Sequence, residues 1–230
     1  QLRQQYDYLT LYYSGGADST TVLHAFIDNN IFIDEILMWH AEPYEKQTND
    51  KDYSNRNYNS EVKYAAMVHL DKVKNSLDPR TKITLKDFAK TGLETLSKQD
   101  NWYENVPLGL TLSISGILRQ VSQQNDAHFL RQQDTGKSTC YIMGIDKPLV
   151  CKKGDDYYAY FQDNSAYHVM SPIDFASTNN QVTTEFFYWT PDFPEIVVKQ
   201  SQLIKAHYKS NPAIIHMAEK SLTTHISEYR

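Results

Sequence analysis

Residues 8–26 read YLTLYYSGGADSTTVLHAF, and the way they change character decides the fold. Tyr8 to Tyr13 are β-formers and predict a strand. Ser14, Gly15 and Gly16 bend the chain, because a residue without Cβ turns sharply and lets a ligand approach the backbone. From Asp18 to Asn29 the apolar residues Val22, Leu23, Phe26 and Ile27 recur at helical spacing, which predicts a helix stopped by Asn29 and Asn30. A strand that enters a glycine turn and leaves as a helix is the opening half of a βαβ unit.

The same alternation continues outward. Ile31 to His40 contains a second strand, clearest over Glu35 to His40, and Asn59 to Leu77 predicts a helix with Val62, Ala65, Ala66, Val68, Leu70 and Val73 as its apolar set. Thr81 to Leu85 predicts a third strand, Leu108 to Gln124 an apolar helix, and Thr139 to Ile145 a fourth strand. Asp155 to Gln162 predicts a charged, tyrosine-rich edge strand. Pro194 to Tyr208 is amphipathic, and Asn211 to Glu228 is a further helical segment. Strictly alternating β and α elements imply an α/β fold, a parallel sheet with helices on both faces. The boundary falls near residue 150, giving a domain over 1–150 and a mostly helical C-terminal lobe over 151–230.

Composition narrows the function. With 40% hydrophobic residues the 230-residue chain can fill a core. A net charge of -5 argues against an extended nucleic-acid footprint. No apolar run has the length of a membrane span, and QLRQQYDYLT lacks the apolar centre of a signal peptide. Cys140 and Cys151 are too few for a four-thiolate zinc site or a disulfide scaffold, so a cytoplasmic setting is expected.

In open parallel sheets, ligands bind beyond the carboxyl ends of the strands. Ser14 to Ser19 sits at such an end. The helix that follows offers N–H groups and a positive dipole end, and Ser14, Ser19 and Thr20 add hydroxyls, which suits a phosphate chain. Asp18 repels bare phosphate, so its chemical use there is to hold Mg²⁺ against it. The competing reading is a plain tight turn with Asp18 as helix N-cap.

The string Ser14-Gly-Gly-Ala-Asp-Ser19 resembles the S-G-G-x-D-S pyrophosphate loop of the N-type ATP pyrophosphatase (PP-loop) superfamily. Asparagine, GMP and NAD synthetases, tRNA-lysidine synthetases, 7-cyano-7-deazaguanine synthases and phosphoadenylylsulfate reductases share that loop. The resemblance spans about residues 6–150. It implies a five-stranded, nucleotide hydrolase-like (Rossmann-like) parallel sheet, with Ser14, Gly15, Gly16, Ala17, Asp18, Ser19 and Thr20 binding ATP. It also implies an ATP pyrophosphatase-type ligase. A substrate oxygen attacks the α-phosphate, pyrophosphate leaves, and a nucleophile displaces AMP. Asparagine synthetase-like C–N bond formation is the leading expectation. The alternatives are a tRNA or nucleobase modifier, sulfur-inserting in one version, and a non-catalytic nucleotide-binding module. The implied ligands are ATP, Mg²⁺ and a small-molecule or tRNA acceptor. An ammonia-supplying partner and a homo-oligomer stay open.

Further residues follow from position. Trp39 ends the second strand, where relatives receive adenine, and is either a base-stacking platform or core. His40 and Glu42 beside it are substrate or metal ligands, or surface loop. The stretch Tyr141-Ile-Met-Gly-Ile-Asp-Lys-Pro148 ends the fourth strand next to the first loop. There Gly144 is expected to admit ATP, Asp146 to share Mg²⁺ with Asp18, and Lys147 to neutralise the α-phosphate as a catalytic cation alongside Asp18; the competing reading is a turn capped by Asp146-Lys147-Pro148. The relatives' Gly-His-His-x-Asp-Asp pattern is absent. Gly136-Lys-Ser-Thr139 resembles a Walker A tail without its first glycine, leaving Lys137 as a phosphate contact or a plain loop residue. Arg119 either reaches the site or forms a surface salt bridge. Lys152 and Lys153 are expected to lower the Cys151 pKa, while Cys140 reads as an inert buried thiol. The aromatic run Glu185 to Pro194 either walls a substrate pocket or packs the lobe, and packing is the favoured reading. His207 and His216 stand alone and make no metal pattern.

Overall fold

A computed structural model describes residues 1–40, 61–98, 136–144, 148–160, 182–188 and 193–215. Its chain divides into two compact units, Gln1–Gly144 with Asn164–Glu185, and Ile145–Asp163 with Phe186–Arg230.

The first unit is built on a sheet of five strands: β1 (Tyr8–Tyr12), β2 (Glu35–His40), β3 (Lys82–Asp87), β4 (Thr139–Met143) and β7 (Val182–Phe186). Their order is β3-β2-β1-β4-β7. The β1–β2, β1–β4 and β2–β3 pairings are parallel. The helices around them are α1 (Leu2–Gln5), α2 (Ala17–Asp28), α3 (Val62–Val73, opening with a π turn over Val62–Ala66) and α4 (Phe88–Leu96).

Burial explains the central place of β1. Tyr8 and Thr10 on one side of the pleat are buried, and so are Leu9, Leu11 and Tyr13 on the other. A strand buried on both faces belongs inside a parallel sheet covered on both sides. All of β4 is buried too. By contrast no residue of β3 is buried, Ile83 and Leu85 are exposed, and the strand forms an edge.

The amino ends of the strands are pinned by polar groups. Asp34 accepts from Leu9 N at 2.8 Å and pairs with Arg3. Asp7 and Ser138 exchange bonds: Asp7 N donates to Ser138 Oγ at 3.0 Å, and Ser138 Oγ donates to Asp7 Oδ2 at 2.8 Å. This clasp fixes the role of Gly136-Lys-Ser-Thr139. About 23 Å of strand separate Lys137 from Gly144 at the far end of β4. Lys137 is therefore no phosphate contact of the Gly15–Gly16 loop.

Several boundaries differ from expectation for physical reasons. In α3, Met67 N–H donates to Val62 O, five residues back. The wider turn shifts the buried stripe to Val62, Ala66 and Leu70 and leaves Val68 exposed. Helix α4, unanticipated, starts where Asp87 Oδ1 accepts from Ala89 N (2.9 Å) and Lys90 N (3.0 Å), an N-cap. Strand β7 begins before the aromatic run and takes in Glu185 and Phe186. The Leu108–Gln124 helix lies outside the described residues.

In the second unit, β5 (Leu149–Lys153) and β6 (Asp156–Tyr160) form an antiparallel hairpin closed by Gly154 (φ +62°) and Asp155. Helix α5 (Pro194–Ser210) lies against β5, with Lys205 Nζ 5.2 Å from the Tyr157 ring centre. The lobe thus holds a hairpin as well as a helix. No helix among the described residues is long and apolar enough to cross a membrane.

Candidate functional site

The sheet order reverses between β1 and β4. The chain runs outward from β1 to β2 and β3, then returns to the other side of β1. At such a switch point the loops leave in opposite directions and open a crevice beyond the carboxyl ends. Ser14–Gly16 leaves β1 there, and Gly144 leaves β4.

The loop is a closed, self-bonded turn. Gly15 has φ +82°, and Gly16 is the N-cap of α2. Asp18 stands in the first turn of that helix rather than at its cap, which removes the N-cap reading. The Ser19 hydroxyl is buried, donates to Gly16 O at 3.2 Å and accepts from Ser14 N at 3.3 Å. Ser14 Oγ accepts from Gly16 N at 3.2 Å. Thr20 Oγ1 donates to Gly15 O at 3.4 Å. Ser19 and Thr20 thus brace the turn from inside. The N–H groups of Ala17, Asp18 and Ser19 precede the first intrahelical bond, Thr20 N to Gly16 O at 3.0 Å. They make the positive end of α2.

Three glycines are held by their neighbours. A Cβ on Gly15 would lie 2.3 Å from Ala66 N and 2.5 Å from Ala66 Cα. The π turn of α3 is what seats that backbone on the loop, and such turns recur at functional sites. A Cβ on Gly16 would lie 2.9 Å from Glu61 Oε1. A Cβ on Gly144 would lie 2.9 Å from both Ser19 N and Ser19 Cα. Gly144 therefore serves the contact between β4 and the start of α2, and the structure brings these two sequence-derived sites together. No motif marked Glu61 or Ala66; only the fold carries them to the loop.

Trp39 is half-buried at the carboxyl end of β2, and Lys86 Nζ lies 5.8 Å from its ring centre. Its Nε1 is buried without a hydrogen-bond partner among the described residues. A buried N–H of that kind is costly unless an acceptor arrives. His40 stands in register with Asp87 on β3. Glu42, Arg119, Asp146, Lys147 and His216 lie outside the described residues. A cavity of about 210 Å³ lined by Phe26, Ile31, Ile33, Leu77 and Thr81 opens at the amino ends of the strands, away from the loop.

Neither cysteine is an activated thiol. Cys140 is fully buried in β4, and burial pushes its thiol far up. Cys151 is buried as well, donates to Tyr158 O at 3.6 Å, and is also pushed up by burial. Lys152 and Lys153 do not lower it as expected; desolvation sets the direction. His207 is exposed near the end of α5. Among the described residues no three His, Cys, Asp or Glu side chains cluster as metal ligands.

No family model matches this chain, and no curated protein or solved structure matches it either.

Proposed function

We propose that the protein is an ATP-dependent adenylating enzyme of the PP-loop kind, with the nucleotide's phosphates in the crevice between Ser14–Gly16 and Gly144. The observation that carries this reading is the meeting of a Gly-Gly turn, a helix start and a close-packed Gly144 at the point where the strand order reverses. A backbone cradle at a helix N-terminus stabilises negative charge where it grows as pyrophosphate leaves. A single carboxylate next to substrate phosphates is an ordinary Mg²⁺ arrangement, so Asp18 fits that ion. When bound, Mg²⁺ neutralises charge on the leaving phosphates.

In this reading the first turn of α2 holds the β- and γ-phosphates as one leaving group. Asp18 would hold Mg²⁺ beside them, and the half-buried Trp39 ring at the end of β2 would be the platform for the base. The acceptor's oxygen attacks the α-phosphorus, the bond from it to the bridging oxygen breaks, and AMP stays on the acceptor. Ammonia or another nucleophile then displaces AMP. The first test supplies ATP labelled at the α- and γ-positions, Mg²⁺ and a metabolite or tRNA pool as acceptor. Labelled AMP and pyrophosphate are expected; ADP with orthophosphate as the only products overturns the reading. Gly16→Val is the loop control. It crowds the flexible Glu61 carboxylate rather than backbone, so folding persists while calorimetric Mg²⁺-ATP binding is lost.

The cysteine chemistry favours C–N bond formation over sulfur insertion, because both thiols are buried and held protonated. The Cys140→Ala/Cys151→Ala variant is expected to keep its ATP turnover. Loss of turnover with folding and ATP binding intact would restore the sulfur-inserting alternative.

A further inference from the structure

Behind the loop, α2 and α3 face each other through two histidines. His24 Nε2 and His69 Nε2 are 3.1 Å apart, with ring centres at 5.1 Å and planes at 62°. Each ring has an oxygen near its other nitrogen. His69 Nδ1 is 2.7 Å from Tyr13 Oη, whose hydroxyl also lies 3.2 Å from Thr20 Oγ1. His24 Nδ1 is 3.9 Å from Asp28 Oδ1.

A neutral imidazole carries one proton on one of its two nitrogens. If both rings carry that proton on Nδ1, two Nε2 lone pairs converge on one point. Lone pairs that close need a positive centre between them, either a proton or a metal ion. Two nitrogens each about 2.0–2.1 Å from a tetrahedral zinc would sit roughly 3.3–3.4 Å apart. The observed gap is within a few tenths of an ångström of that. The Tyr13 hydroxyl at the remote nitrogen of His69 is also the usual kind of support of a metal-bound histidine, fixing the tautomer and the ring plane.

We propose that His24 and His69 form a binding site for a divalent transition-metal ion of the zinc type, clipping α2 to α3. Two imidazole ligands suit such an ion, and the half-exposed His24 leaves its remaining positions to water. Tyr13 is a positioning residue, through its hydroxyl 2.7 Å from His69 Nδ1. The site is separate from Asp18 and does not depend on any nucleotide chemistry.

Zn²⁺ titration by calorimetry, with the wild-type chain against His24→Gln, His69→Gln, Tyr13→Phe and the double His24→Gln/His69→Gln variant, decides it. Far-UV circular dichroism verifies that each chain is folded. The wild type is expected to take up one more Zn²⁺ than the double variant, and each single histidine variant is expected to lose that ion. Tyr13→Phe retains both ligands and is expected to bind about 10–100-fold more weakly. Equal uptake and affinity in the wild type and the double variant overturns the proposal and leaves a proton shared by the pair. If the double variant does not fold, the half-exposed His24→Gln alone decides by the same comparison.

Discussion

Gly15→Ala is expected to lower the unfolding free energy by about 2–5 kcal/mol. Two effects add. A left-handed backbone costs an L-residue roughly 1–2 kcal/mol, and Gly15 has φ +82°. Overpacking adds roughly 1–3 kcal/mol. It cannot be relieved by a rotamer change, because the new methyl meets Ala66 N at 2.3 Å and Ala66 Cα at 2.5 Å. Gly154→Ala is the matched control. Its φ is also positive, at +62°, but nothing lies within 4 Å of the added carbon. Only the backbone part, about 1–2 kcal/mol, is expected there. Urea denaturation with unchanged slope measures both. A Gly15→Ala chain no weaker than Gly154→Ala would mean that the π turn of α3 does not rest on the loop.

On the proposed adenylation reaction, Gly144→Ala is expected to reduce ATP turnover by up to roughly a hundredfold, the scale of an ångström-sized misplacement of a reacting group. Gly144 shows no left-handed strain, so the effect is one of contact alone. The added methyl would stand 2.9 Å from Ser19 N and Cα and 3.0 Å from the Asp18 carbonyl carbon. Those atoms are the first turn of α2. They must move away from β4, and they carry Asp18 and the helix N–H groups with them. Binding of Mg²⁺-ATP and its turnover are measured side by side, with thermal unfolding as the check on folding. Unchanged turnover in a folded Gly144→Ala chain would remove Gly144 from the site.

How much of this the sequence disclosed depends on the range of each interaction. Strand β1, the turn and α2 were legible because their signals are local: β-formers, then Gly15-Gly16, then Val22, Leu23 and Phe26 one helical turn apart. Strands β2 and β3 carried the same local signal. The cap at Asp87 and the Gly154-Asp155 hairpin turn were also local, and reading them would have given α4 and β5. Ala66 against Gly15 was not legible. It depends on a π turn, which periodicity treats as an ordinary helix, and on α3 lying over the loop. The histidine pair was hidden for the same reason: 45 residues separate His24 from His69. For Cys151 the neighbouring lysines were visible, but burial, which decides the thiol's pKa, was not.

The clasp between Asp7 and Ser138 bears on the order in which the molecule assembles. Strand β1 finds β2 across a short span, since Leu9 and Asp34 are 25 residues apart. It finds β4 only after a closure of 131 residues. By the logarithmic scaling of loop entropy the longer closure costs about 4 kcal/mol against about 3 kcal/mol for the shorter. Pairings of high sequence separation also form slowly. Half of the crevice can therefore stand before the half that contains Gly144 arrives. A ligand of this cradle has nothing complete to grip until β4 docks, so it slows unfolding rather than hastening assembly.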